Sequence, residues 1–263
     1  MPAPSARDLL FGLQNTLRAC GVDHEQTIKD FGQVAAAEAR ASGRLFTLRD
    51  HVRGLLLSQL SNQRPWKPIA KNQDRIRRVF FDYDPSALQH ADPMDLVKAI
   101  RGISCGNRAI AKQMKALSTN IGTLHRIESD HGSLDKFVTS SDPDGVAMQI
   151  SRPGPYKLKQ VGYALGLEYL RNVGIRAAKP DLHVRRILSG ERLSYFPGQP
   201  TERQAAEAVV KLAAEAGCNA TYFDNLLWLF CAEGYGNVCG ASPRCSICAL
   251  RNSCTYPMRS AST

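Results

Sequence analysis

The sequence predicts an all-α protein, and three observations carry that expectation. The segments LRDHVRGLLLSQL (48–60), AIAKQMKALSTNIGTLHRI (109–127) and RQAAEAVVKLAAEAG (203–217) repeat apolar residues at i, i+3, i+4 and i+7. Alternating apolar–polar runs are nearly absent, as are the Asn-Gly and Asp-Gly pairs of tight hairpins. The chain has 263 residues, 43% of them hydrophobic, enough for one large helical body or two compact ones.

The elements follow in chain order. Residues 1–44 hold no motif that assigns a role. The first amphipathic segment ends in NQRPWKP (62–68), which reads as a loop. DYDPSALQHADP (82–93), SSDPDG (140–145) and SRPGP (151–155) read as further loops, none of them a long linker. Thr201 precedes the segment 203–217 and Gly217 closes it, a start signal and a stop signal. No internal repeat of fixed period is present.

Charge narrows the partners. Lys plus Arg is 34 and Asp plus Glu is 24, a net of +10. That balance suits a polyanion, nucleic acid first, and equally a protein with basic surface patches. No run of 18 apolar residues exists, so a transmembrane helix is excluded. The start MPAPSARDLLFGLQ lacks a basic segment followed by a long apolar core. A cytoplasmic protein without membrane contact is expected.

Eight cysteines are unevenly spread. Cys20, Cys105, Cys218 and Cys231 are scattered. Cys239, Cys245, Cys248 and Cys254 form C-x5-C-x2-C-x5-C. Clustering of this kind in a reducing compartment points to metal rather than disulfides. Four thiolates suit a zinc ion or a cubane iron–sulfur cluster. A single C-x2-C pair, where zinc fingers usually have two, favours the cluster.

The stretch PRCSICALRNSCTY (243–256) resembles the C-terminal cluster loop of the endonuclease III family of DNA glycosylases, the helix-hairpin-helix group with a four-iron, four-sulfur (4Fe-4S) cluster. That family usually spaces its ligands C-x6-C-x2-C-x5-C, so the first gap here is one residue short. The resemblance implies a 4Fe-4S cluster on Cys239, Cys245, Cys248 and Cys254. It also puts Arg244 in a basic loop that touches DNA phosphates.

A second stretch, LKQVGYALGLEYLRNVGIRAAKPDLHVRRIL (158–188), resembles the family's hairpin L-P-G-V-G-x-K-T-A with its downstream V-D-T-H. Leu158, Lys159, Gln160, Val161, Gly162 and Tyr163 fall on the hairpin, and Asp181 lies 17 residues after Ala164. A tight turn before a helix presents backbone N–H groups to a phosphate, and Gly162 keeps that turn open. Two departures stand out. Gln160 replaces the first glycine, and Ala164 replaces the Schiff-base lysine of bifunctional members. Without that amine, base removal and strand cleavage are not coupled through an imine at this position. Lys157, Lys159 and Lys179 are the candidates for a relocated lysine.

Asp181 reads locally as the cap of a helix after Pro180. The resemblance implies a second role, a carboxylate that stabilises the sugar cation and orients the attacking water. Both roles are compatible. His183 reads as structural or phosphate-facing. LLLSQLSNQRPW (55–66) resembles the family's L-L-S-A-Q-A-T-D, which implies that Gln59 fills the gap left by a flipped nucleotide, with Asn62 beside it. Gln59 reads alternatively as an exposed residue at a helix end. Trp66 and Tyr163 could stack on an extruded base, though Trp66 reads equally as core. IRGISCGNRAIAKQMKAL (100–117) resembles a further family stretch, placing Asn107, Arg108 and Lys112 outward near the DNA backbone. Lys67, Lys71, Arg75, Arg77 and Arg78 read as a charged face.

The resemblance implies a two-lobed helix-hairpin-helix glycosylase fold. One lobe would span 41–174 with the hairpin, and the other 1–40 with 175–263, carrying Asp181 and the cluster loop. Double-stranded DNA would lie in the groove between them, with Gly162 and Asp181 on opposite sides of the target nucleotide. The activity implied is a monomeric, monofunctional DNA glycosylase that leaves an abasic site. A non-catalytic DNA-binding protein on the same scaffold, a glycosylase with a relocated lyase lysine, and a zinc-stabilised nucleic-acid module stay open. Oxidised, mispaired, deaminated and alkylated bases all remain candidates, as do modified bases of phage DNA.

Overall fold

The computed structural model describes residues 2–259; the outermost ends of the second expected lobe, residue 1 and 260–263, lie outside the described residues. The chain forms two compact units, Met1–Val34 with Ala177–Thr263, and Ala35–Arg176. The borders therefore fall at 34/35 and 176/177, where the sequence suggested 40/41 and 174/175. No strand occurs among the described residues.

Local chemistry sets the helix boundaries. Ser5 caps α1 (Ala6–Ala19), and Asp23 caps α2 (His24–Phe31), which stops at Gly32 with φ 75°. After α3 (Gln33–Ala41), Thr47 and Asp50 form a capping box for α4 (Leu48–Leu60). Then come α5 (Lys67–Lys71) and α6 (Gln73–Val79). The stretch 82–93 holds a helix, α7 (Pro85–His90), where a loop was expected. Asp84 caps it, and Asp92 caps the next helix, α8 (Pro93–Gly102), with a proline in each first turn. Proline there has a preset φ and lacks an N–H that would have no partner, so the same residues that signal a turn also start a helix. The chain continues with α9 (Ile110–His131), α10 (Leu134–Val138), α11 (Pro143–Ser151) and α12 (Tyr163–Asn172). Then come α13 (Leu182–Leu188), α14 (Glu202–Ala216) and α15 (Ala220–Cys231), followed by two short 3-10 turns in the cysteine segment and a last short helix, α16 (Tyr256–Arg259). Thr201 and Gln204 form the capping box of α14, and Gly217 ends it at φ 73°.

In the unit 35–176, α12 packs on α4 and α11, and α9 packs on α8. Close packing leaves little room for a side chain at Gly54 and Gly166. A Cβ on Gly54 would lie 2.9 Å from Val173 Cγ1, and one on Gly166 would lie 3.4 Å from the Ala147 carbonyl. A buried polar chain joins four elements here. Asp135 accepts from Arg40 Nη2 at 2.6 Å and from the Phe46 N–H at 2.6 Å. His51 Nε2 lies 3.5 Å from Asp135, and its Nδ1 bonds the Tyr169 hydroxyl at 2.5 Å.

In the other unit, Leu9, Leu13 and Leu17 of α1 are fully buried with Val184, Leu226 and Phe230. Burying such a side chain contributes about 2 kcal/mol each. The cysteine segment sits on α1. The Ala249 N–H donates to Thr16 Oγ1 at 3.0 Å. Leu250 lies over Gly12, where a Cβ would come within 2.3 Å of Leu250 Cδ2. Among the described residues no helix is long and apolar enough to cross a membrane.

Candidate functional site

The hairpin between α11 and α12 is built from the backbone. The Val161 N–H donates to the Leu158 carbonyl at 3.3 Å, closing a turn with Gln160 in its third position at φ 61°. That is the conformation glycine adopts without strain. Gln160 thus holds the left-handed geometry expected of the residue it replaces. Gly162 is the cap of α12 and brings no side-chain acceptor; a Cβ there would meet nothing within 4 Å. No side-chain cap closes the start of α12, and the helix dipole makes that end partly positive. Lys159 and Gln160 are exposed. Tyr163 is half-buried and its hydroxyl donates to Asp144 Oδ1 at 2.6 Å, which ties it to α11. Ala164, half-buried, supplies no amine.

Asp181 caps α13, as its local sequence suggests. Its Oδ1 accepts from the His183 and Val184 N–H groups at 2.8 and 3.1 Å. Both bonds fall on one oxygen, which fixes the carboxylate and leaves Oδ2 for another partner. Burial pushes the His183 imidazole below its ordinary value, and the ring meets Trp228 edge-on at 6.4 Å. Its Nδ1 is buried without a partner. His183 is thus held neutral against an aromatic wall, in keeping with a structural role.

The four clustered cysteines are all free thiols. Cys239 and Cys254 are buried, Cys245 and Cys248 half-buried. A hydrogen bond from the Cys231 thiol, opposed by burial and helped by Arg192, brings Cys239 down to about 7. Burial pushes Cys248 up to about 12, and the thiols of Cys239, Cys254 and Cys245 add to that. The four sulfurs thus feel one another. No three His, Cys, Asp or Glu side chains among the described residues come close enough to hold a single metal ion. Arg192 lies among these thiols. It is 5% exposed, stacks on Tyr256 at 4.0 Å, and its Nε has no partner. Among the described residues no carboxylate pairs with it; its Nη1 donates to the Glu191 carbonyl at 3.2 Å, and its charge helps to hold the Cys239 thiol low. Cys239, Cys245 and Cys254 feel the Arg192 charge, and with Cys248 they are the residues that would hold a cluster. Sequence reasoning missed Arg192 and Cys231, which lie outside the motif and reach it through the fold.

Several predicted contacts sit differently. Gln59 is not at an exposed helix end: it is fully buried, and neither atom of its amide has a partner. Its backbone carbonyl accepts from Asn107 Nδ2 at 2.7 Å and Gln113 Nε2 at 3.1 Å. Asn107 therefore faces inward, whereas Arg108 and Lys112 are exposed. Asn62 and Trp66 are half-buried. Arg244 is exposed, but its guanidinium turns back onto the carbonyls of Asn237 and Gly236. That arrangement shapes the cysteine loop. Lys67, Lys71, Arg75, Arg77 and Arg78 are exposed, and Arg77 pairs with Asp82 at 2.5 Å.

Solved structures share this architecture. The chain aligns with the 8-oxoguanine DNA glycosylase of Methanocaldococcus jannaschii at a TM-score of 0.57 and 15% identity, over 84% of this chain and 94% of that one. It aligns with the 8-oxoguanine DNA glycosylase of Thermotoga maritima at 0.57 and 18%, over 87% and 98%. A complex of the Methanocaldococcus jannaschii 8-oxoguanine glycosylase/lyase with 15mer DNA containing 8-oxoguanine gives 0.54 and 14%, over 82% and 95%. No protein-family model matches the chain. No curated protein matches it either. At these identities the likeness defines the fold: the all-α helix-hairpin-helix glycosylase fold.

Proposed function

We propose that the protein is a DNA glycosylase that hydrolyses the N-glycosidic bond of a flipped base and leaves an abasic site. The observation that carries this reading is that one chain of glycosylase fold holds both a tight hairpin leading into an α12 start without a side-chain cap and a carboxylate fixed at the start of α13. The hairpin amides receive a DNA phosphate. Asp181, held by its cap bonds, stabilises the positive charge that builds on the sugar and orients water. Lys159 and Gln160 stand at the hairpin tip beside the backbone. Ala164 supports hydrolysis without imine chemistry, so the enzyme is read as monofunctional. Cys239, Cys245, Cys248 and Cys254 are proposed to hold a 4Fe-4S cluster, whose contribution when bound is to fix the loop around Arg244. The solved structures of this fold named above act on 8-oxoguanine, which makes that base the first to test.

The test incubates the protein with duplexes carrying 8-oxoguanine and, separately, deaminated, alkylated, mismatched and phage-modified bases. Freed bases are identified by mass spectrometry, and strands are analysed with and without alkali. Release of one base, with strand scission only after alkali and loss of both in Asp181→Asn, is the expected result. Scission without alkali would favour a relocated lysine. DNA binding without release of any base would favour the non-catalytic scaffold.

A further inference from the structure

The hairpin contains a charged group that the proposed chemistry does not use. Lys157 is half-buried, and its ammonium donates to the Ser151 carbonyl at 2.5 Å and to the Val161 carbonyl. Ser151 is the last residue of α11, and Val161 immediately precedes Gly162, the cap of α12. One cation thus ties the end of the first helix to the entry of the second. Burial lowers the affinity of Lys157 for its proton. A desolvated ammonium with two carbonyl acceptors is held in place far more firmly than a surface lysine.

The bond also has a direction that matters. The Val161 carbonyl and the Gly162 N–H belong to one peptide plane. Holding that carbonyl on Lys157 fixes where the Gly162 N–H points, and the amides of Tyr163 and Ala164 follow from the helix start. We infer that Lys157 is a positioning residue: a tethered internal cation that presets the hairpin peptide and orients the α12 amides for an anion. The inference rests on the reading of those amides as a DNA phosphate site.

Lysine suits this place for a chemical reason. Its three donors radiate from one compact charge and can serve two converging carbonyls from a single atom. The engaged ammonium is also poorly placed to attack a sugar carbon, since its donors are committed to carbonyls. Lys157 thereby belongs to the scaffold of the hairpin rather than to bond breaking.

The experiment compares wild type, Lys157→Met and Lys157→Ala. Amide hydrogen exchange over residues 158–165 reads the hairpin without DNA. Affinity for a duplex carrying 8-oxoguanine is measured in methylammonium chloride and, at equal concentration, tetramethylammonium chloride. Methionine keeps the stem and loses the charge. Both variants are expected to exchange the hairpin amides faster than wild type. Both should bind the duplex about tenfold more weakly, the change that one lost charge-assisted hydrogen bond corresponds to. Lys157→Ala should recover in methylammonium, which can donate to the vacated carbonyls, and not in tetramethylammonium. Wild-type exchange rates in Lys157→Met, or equal affinity of Lys157→Ala in both salts, would overturn the inference. Failure of wild type to bind DNA would overturn the phosphate-site reading, while the exchange measurement would still decide whether Lys157 sets the hairpin.

Discussion

Asn120 grips the backbone of Lys159 from both sides: its Oδ1 accepts from the Lys159 N–H at 2.6 Å, and its Nδ2 donates to the Lys159 carbonyl at 3.0 Å. Asn120 lies on α9 and is fully buried. The hairpin is therefore not a free loop, because a core residue clamps the peptide just before Gln160.

Removing that clamp should loosen the hairpin without rearranging the rest of the unit. Asn120→Ala is expected to cost about 2 kcal/mol, since it leaves two partly buried backbone groups unpaired. Asn120→Asp should be no better. It keeps an acceptor for the Lys159 N–H but turns an anionic oxygen toward the Lys159 carbonyl. Urea unfolding measures the loss; an aspartate variant as stable as wild type would contradict the two-sided clamp.

Gln160 gives a prediction of the opposite sign. A non-glycine residue at φ 61° pays a steric penalty that glycine escapes. Gln160→Gly should stabilise the protein by up to about 1 kcal/mol, provided its side chain serves no bound partner. A melting shift upward with unchanged DNA affinity would place Gln160 in turn geometry alone. Weaker binding from a more stable protein would place its side chain on the DNA.

These two positions also mark what the residues disclose before folding. The hairpin before α12 was legible through the family resemblance of 158–163, whereas the α14 caps Thr201 and Gly217 were legible from local chemistry. Asp181 as a cap was readable for the same reason. The Asn120 clamp spans 39 positions and leaves no periodic trace. Burial of Gln59 was hidden as well, because helix periodicity in 48–60 does not say which polar residue of a nearly all-buried helix turns inward. Arg192 at the thiols was equally hidden, since a lone arginine carries no pattern until the fold places it. The helix at 85–90 was misread because aspartate and proline signal both a turn and a helix start.

Acid should unfold the protein in two stages. His24, His51 and His183 all sit below their ordinary value of 6.5, in each case chiefly through burial. They bind protons more readily when unfolded, so stability falls as pH drops below about 6.5. Asp135 follows at lower pH. Burial works to raise it, but hydrogen bonds from His51, Arg40 and the Phe46 N–H outweigh that and hold it at about 2, against an ordinary 3.8. Its contribution, about 2 kcal/mol, is complete above about pH 4 and is lost as pH falls toward 2. Urea unfolding across this range should show both limbs, and Asp135→Asn should flatten the lower one. A flat profile between pH 7 and about 4.5 would mean that the histidines are protonated in the folded state.

The thiol segment makes a prediction about composition. Protein purified without oxygen should carry about four iron and four sulfide per chain with visible charge-transfer absorbance. Cys248→Ser should lose it, and Cys231→Ser should keep it while weakening the hold on Cys239. Arg192→Leu should retain less iron, because four thiolates would then lack the buried cation beside them. One zinc per chain, with no sulfide, would replace the cluster by a structural ion.

Asp181 allows the cap to be separated from the chemistry. Asparagine accepts the same two N–H bonds and caps helices as well as aspartate does, so Asp181→Asn should melt within a few tenths of a kcal/mol of wild type. It has no charge to set against a sugar cation and no basic oxygen for water, so base release should fall by at least about 100-fold. Asp181→Ala loses both the cap and the charge, and should cost about 1 kcal/mol of stability besides the same loss of activity. The contrast lies in the asparagine variant. A stable but inactive protein assigns the carboxylate to bond breaking. A stable protein that still releases the base would confine Asp181 to the helix start, and the sugar cation would need another anion.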